Sequence, residues 1–146
     1  MGNNDEGRAG SEMPEDKLIL IVDDDESAWD LLYYIVRREG FRTEQASDGR
    51  EALDKARLLR PSLILLDMML PKLGGYEIIR ELQDGDTSDI PVVMLTSRGM
   101  DRSTVEVLRQ EPNLKDFMEK PVNHQTLVGR LHALLGTRPR PKEKKE

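Results

Sequence analysis

At 146 residues, 37% of them hydrophobic and 34% charged, the chain has the length and balance of one soluble folded domain and leaves no room for a second of ordinary size. The absence of cysteine excludes a disulfide scaffold, a thiol nucleophile and a thiolate metal site, so any metal must be held by oxygen or imidazole. A net charge of -6 argues mildly against broad nucleic-acid binding, which depends on a basic face, and the longest apolar run, Leu18 to Val22, falls far short of the roughly 20 residues that span a bilayer.

In chain order, Met1 to Asp16 is polar and acidic, which predicts a flexible leader over residues 1–16. Its start has neither the basic residues nor the apolar stretch of a signal peptide, which sets a cytoplasmic expectation. Leu18 to Val22 is continuously apolar, as a strand buried on both faces must be. Ala28, Leu31, Leu32, Ile35 and Val36 then form one helical stripe closed by Gly40. Trp29, Tyr33 and Tyr34 flank that stripe as packing or partner-facing aromatics. Arg42 to Ala46 reads as a polar edge strand and Arg50 to Leu59 as a helix.

Leu63 to Leu66 repeats the buried-strand pattern, Gly74-Gly75 marks a turn, and Tyr76 to Leu82 a short helix. Val92 to Leu95 is the next strand, followed by a helix at Arg102 to Arg109 and an edge strand at Lys115 to Met118. Leu127, Val128, Leu131, Leu134 and Leu135 give a last helix ended by Gly136, whose His124 and His132 read as surface residues. The remaining Thr137 to Glu146 reads as a charged, proline-containing tail, leaving a folded unit over residues 17–136. Strict alternation of strands and helices predicts an α/β fold, a doubly wound parallel sheet of five strands with five helices.

In such sheets ligands bind beyond the carboxyl ends of the strands. The first strand runs into Asp23-Asp24-Asp25, the third into Asp67, the fourth into Thr96 and the fifth into Lys120-Pro121. Asp25 suffices to cap the following helix, and one helix start does not need three carboxylates. Clustered acids repel one another unless a cation is present, and a hard divalent ion such as Mg²⁺ suits Asp23 and Asp24 once Asp67 joins them. A carboxylate at the mouth of a buried strand can act as a nucleophile toward phosphorus. A hydroxyl at Thr96 and a point charge at Lys120 could bind the phosphoryl oxygens.

ILIVDDDES, LILLDMMLPKLGG, VVMLTSRG and FMEKP, in this order, resemble the receiver domain of bacterial two-component response regulators, over roughly Lys17 to Leu135. The resemblance implies a flavodoxin-like sheet with strand order 2-1-3-4-5. It implies Asp67 as the phosphorylation site, Asp23 and Asp24 as the acidic pair and the Met69 backbone carbonyl as a further Mg²⁺ ligand. Thr96 would be the switch hydroxyl, Lys120 the site lysine and Phe117 the aromatic rotamer switch.

The implied partners are a sensor histidine kinase or histidine phosphotransfer protein and a downstream protein target. The implied output surface comprises the fourth helix, fifth strand and fifth helix, with room for a phosphorylation-dependent dimer, no direct nucleic-acid contact and no membrane insertion. The chain would catalyse only its own phosphorylation and dephosphorylation. The alternatives are a phosphotransfer intermediate and a receiver-like interaction domain. A small-molecule phosphatase would want an acid two residues past the nucleophile, where Met69 stands. Two departures from the family pattern stand out: Gln110 to Lys115 replaces a Gly- and Ala-containing turn, and Met69 and Arg98 occupy positions that influence phosphoryl lifetime.

Overall fold

The computed structural model describes residues 11–97 and 99–139. Most of the expected leader and tail, and Arg98, lie outside these described residues. Five strands, β1 (Leu18–Val22), β2 (Arg42–Ala46), β3 (Leu63–Asp67), β4 (Val92–Thr96) and β5 (Leu114–Glu119), alternate with five α-helices. The helices are α1 (Glu26–Arg38), α2 (Gly49–Leu59), α3 (Gly75–Leu82), α4 (Arg102–Arg109) and α5 (His124–Leu135). All strands pair in parallel in the order β2-β1-β3-β4-β5, the doubly wound arrangement expected of the sequence.

Within the continuous apolar runs, successive side chains still go to opposite faces. Leu20, Val22, Ile64, Leu66, Val92 and Met94 pack with Leu53 and Ala56 of α2, Ile78 and Ile79 of α3 and Leu108 of α4. Ile19, Ile21, Leu63, Leu65, Val93 and Leu95 pack on the other face against Leu32 and Ile35 of α1 and Leu127 and Leu131 of α5. Burial on both sides explains why these strands carry no polar alternation.

Polar caps set where the helices begin. Asp25 accepts from the Ser27 amide at 3.2 Å, Asp48 from Glu51 at 2.9 Å and Asn123 from Thr126 at 2.9 Å. Gly74 stands at the N-cap of α3, as the turn expectation required.

Several expectations need correction. Leu31 is 52% exposed, because α1 turns the arc of Leu32, Ile35 and Val36 to the sheet and leaves Leu31 on its flank. β3 and β4 each extend one residue beyond the apolar run, since pairing continues through Asp67↔Leu95 and Thr96↔Glu119. Residues 11–16, assigned to the leader, end in a 3-10 turn at Pro14–Asp16 with Pro14 buried, and the Glu15 carbonyl accepts from Arg42 Nε at 3.1 Å.

His132 is not a surface residue. It is 4% exposed, its Nε2 lies 2.8 Å from Glu39 Oε1 and its Nδ1 lies 2.7 Å from Oγ1 of Thr137. Thr137, assigned to the tail, is buried with it. The departure at Gln110 to Lys115 is a packed polar turn. Gln83 Nε2 donates to Glu111 at 2.8 Å and Asn113 at 2.9 Å, Asn113 donates to the Ile79 carbonyl, and the β4–β5 register shifts at Val92/Val93, where Val92 pairs with Leu114 and Val93 with Asp116, so that Lys115 falls in a bulge.

Candidate functional site

Because the strands are parallel, their carboxyl ends open onto one rim, and β1, β3, β4 and β5 deliver the singled-out residues there. Asp23 is 1% exposed directly after β1. Its Oδ1 accepts from the Asp25 amide at 2.9 Å and its Oδ2 from Lys120 Nζ at 2.8 Å, so a buried charge is held by one backbone dipole and one cation. Asp67, last residue of β3, is 7% exposed; its Oδ1 accepts from the Met69 amide at 3.2 Å and its Oδ2 lies 3.3 Å from Lys120 Nζ. Asp24 is exposed at the rim. One carboxylate oxygen from each of Asp23, Asp24 and Asp67 falls within 4.8 Å of the others.

Burial pushes the Asp67 carboxyl above the ordinary carboxylate range. The Met69 amide opposes the shift, the Asp23 charge adds to it, and Lys120 works against it. For Lys120, burial disfavours the ammonium, but the hydrogen bond to Asp23 and the charges of Asp67 and Asp23 outweigh it, so the lysine titrates above its usual range. Its backbone is fixed to β4 by the Lys120 amide, which donates to the Thr96 carbonyl at 2.8 Å.

Thr96 ends β4 and is 6% exposed. Phe117 stands two pairs further back on β5, opposite Met94, half-buried against the core with the Arg109 guanidinium 4.9 Å above its ring. Met69 projects its side chain outward and is 70% exposed. Asp23, Asp24, Asp67 and Lys120 therefore meet, Thr96 closes the neighbouring strand, and Phe117 lies outside the cluster.

The donor set fits a hard divalent cation. Three carboxylates within one ion's reach, two of them withdrawn from water, supply oxygen ligands and negative charge that one ammonium does not neutralise. The groups that hold this cluster in place were not among the predicted site residues, although Trp29 was expected to pack on the sheet. Trp29 Nε1 donates to the Ile21 carbonyl at 3.2 Å, pinning α1 to the strand that carries Asp23. Asp48 and Gly49 meet the loop after β3; the Asp48-x-x-Glu51 spacing of a helix cap was the available signal.

The model of the response regulator receiver domain family matches residues 19–132. The chain belongs to that family. Among curated proteins, this receiver is 42% identical over 119 residues to the alkaline phosphatase synthesis transcriptional regulatory protein PhoP of Bacillus subtilis, covering 82% of this chain and 48% of the relative. It is 42% identical over 118 residues to the DNA-binding response regulator MtrA of Mycobacterium tuberculosis, covering 80% and 50%. The chain thus spans about half the length of these curated relatives.

Among solved structures, the receiver domain of a signal transduction histidine kinase from Syntrophus aciditrophicus is 33% identical with a TM-score of 0.74, covering 89% of this chain and 98% of that one. The receiver domain of a sensor histidine kinase from Pseudomonas aeruginosa PAO1, whose active-site cleft coordinates a magnesium ion, is 27% identical with a TM-score of 0.75, covering 83% and 98%. Among the described residues no helix is long and apolar enough to cross a membrane.

Proposed function

We propose that this receiver accepts a phosphoryl group on Asp67 from the phosphohistidine of a sensor kinase or histidine phosphotransfer protein and changes partners when it does so. The convergence of the Asp23, Asp24 and Asp67 carboxylates with Lys120 beside them carries this reading. A carboxylate oxygen of Asp67 attacks phosphorus, the phosphorus–nitrogen bond to the donor imidazole breaks, and the electron pair leaves with that nitrogen. The donor imidazole carries a proton on its other ring nitrogen, so it departs neutral, and the products are an acyl phosphate on Asp67 and a neutral histidine. Little covalent work falls to the protein beyond positioning and charge compensation.

Asp23, Asp24, Asp67 and the Met69 carbonyl are the groups that would hold Mg²⁺, which when bound neutralises charge on the phosphoryl oxygens. The magnesium-containing receiver from Pseudomonas aeruginosa supports this assignment by likeness. Lys120, tethered between β4 and the acidic pair, pairs with a phosphoryl oxygen, and the Thr96 hydroxyl donates to another. Movement of Thr96 toward the phosphate frees space for Phe117 to turn inward, which biases the surface formed by α4, β5 and α5. On this surface Arg109 already covers Phe117, and Arg130 of α5 pairs with Asp116 of β5. The only reaction assigned to the chain is the making and breaking of its own acyl phosphate.

Acetyl phosphate with Mg²⁺ should add the mass of one phosphoryl group to the wild-type chain and none to Asp67→Ala. Labelling of the variant at the wild-type rate would sink the assignment. A relay role is favoured by the solved receivers that belong to histidine kinases. Transfer of label from Asp67 to a histidine phosphotransfer protein distinguishes it from a terminal switch. PhoP and MtrA are named as transcriptional and DNA-binding regulators. Any nucleic-acid contact in a longer protein of that kind is assigned to a part other than this acidic receiver.

A further inference from the structure

The loop between β3 and α3 is gripped from outside the acidic cluster by the first turn of α2. A Cβ built on Gly49 would lie 2.5 Å from the Leu73 carbonyl oxygen and 2.6 Å from the Leu73 Cβ. Neither atom belongs to the far end of a flexible side chain, so a methyl group at Gly49 displaces the loop rather than rotating a rotamer. Immediately before Gly49, Asp48 caps α2 through the Glu51 amide at 2.9 Å, and its other oxygen lies 3.4 Å from Lys72 Nζ. Lys72 itself holds φ 71, a left-handed conformation unusual for a residue with a side chain, so its neighbours constrain the loop's path there. At the other end of the loop the Gly75 amide donates to the Met68 carbonyl at 3.1 Å, and a Cβ on Gly75 would lie 3.1 Å from Met68 Cα.

Two close approaches, at Gly49 and at Gly75, thus bracket Met69, whose amide touches Asp67 Oδ1 at 3.2 Å. We propose that Gly49, with the Asp48–Lys72 ion pair, is a positioning element for the metal site: it fixes the course of residues 68–74 and so the placement of the Met69 backbone beside Asp67. The inference rests on the metal reading above and adds to it residues that touch neither metal nor phosphate. Loss of a group that orients a metal ligand commonly costs about 10–100-fold in metal affinity.

Calorimetric Mg²⁺ titration of the whole chain tests this. Gly49→Ala should weaken Mg²⁺ binding about tenfold, and Leu73→Gly, which loosens the same contact from the loop side, about threefold. Ala56→Gly, buried two turns further along α2, should lower the melting temperature while leaving Mg²⁺ affinity within about twofold of wild type. Wild-type affinity in Gly49→Ala, or equal weakening by Ala56→Gly, would overturn the positioning role. Should Gly49→Ala fail to fold, wild-type affinity in Leu73→Gly overturns it instead. Absence of saturable Mg²⁺ binding by the wild-type chain removes the metal reading and this inference together, whereas normal wild-type binding with unaffected variants removes this inference alone.

Discussion

The Lys120 ammonium lies 2.8 Å from Asp23 Oδ2 and 3.3 Å from Asp67 Oδ2, so one cation from the end of β5 links carboxylates delivered by β1 and β3. Without it the Asp23 side chain, fully buried, would hold a charge balanced by backbone dipoles alone. Lys120→Ala should therefore destabilise the fold by about 2–3 kcal/mol in metal-free buffer, with much of the loss recovered when Mg²⁺ is added. Urea unfolding with and without Mg²⁺ measures both. Labelling by acetyl phosphate should slow about 100-fold while Mg²⁺ binding persists. Loss of Mg²⁺ binding in this variant would contradict the assignment of Lys120 to the phosphoryl oxygens.

Asp67 gives a prediction in pH. Its folded pKa is raised, so at neutral pH the ionised form costs stability, and the cost fades as pH falls through the folded pKa. In EDTA at pH 7, Asp67→Asn should melt a few degrees higher than wild type. The gain should disappear below the ordinary aspartate value of 3.8, where both folded and unfolded chains carry a protonated Asp67. Adding Mg²⁺ should stabilise the wild type more than the variant. Equal melting temperatures at pH 7 would mean that the site carries no such cost.

Met69 sets the expected lifetime of the acyl phosphate. Its side chain is 70% exposed beside the acceptor and has no group to orient an attacking water, so the phosphorylated receiver should lose its label slowly. Met69→Asn should shorten the half-life severalfold, followed by intact mass after removal of the donor. Rapid loss from the wild-type chain would show that another group activates the water.

His132 lies at the opposite end of the sheet from the acidic rim, where Glu39 and Phe41 lead into β2. Replacing it with Ala removes the hydrogen bonds to Glu39 and Thr137 and the ring packed 5.2 Å from Phe41. The expected cost is about 2 kcal/mol by urea unfolding, with Thr137→Ala costing about half as much. Phosphorylation by acetyl phosphate should be unchanged in both. A slowed reaction in the folded variant would imply coupling from this end of the domain to the site.

What the sequence determined by itself is the sheet and the roster of its rim. Continuous apolar runs demanded strands buried on both faces, and alternation with helices demanded parallel pairing, so the residue after each run had to stand at one end of the sheet. That reasoning reached Asp23, Asp24, Asp67, Thr96 and Lys120 without any coordinate. It did not reach His132, whose burial depends on Glu39, 93 residues away in the chain. Nor did it reach the grip of Gly49 on Leu73 or the packing of Gln83 on Glu111 and Asn113. Periodicity reports which face of an element is apolar. Whether a polar side chain is buried, and how closely two backbones approach, depends on partners distant in the chain, and those only the tertiary structure supplies.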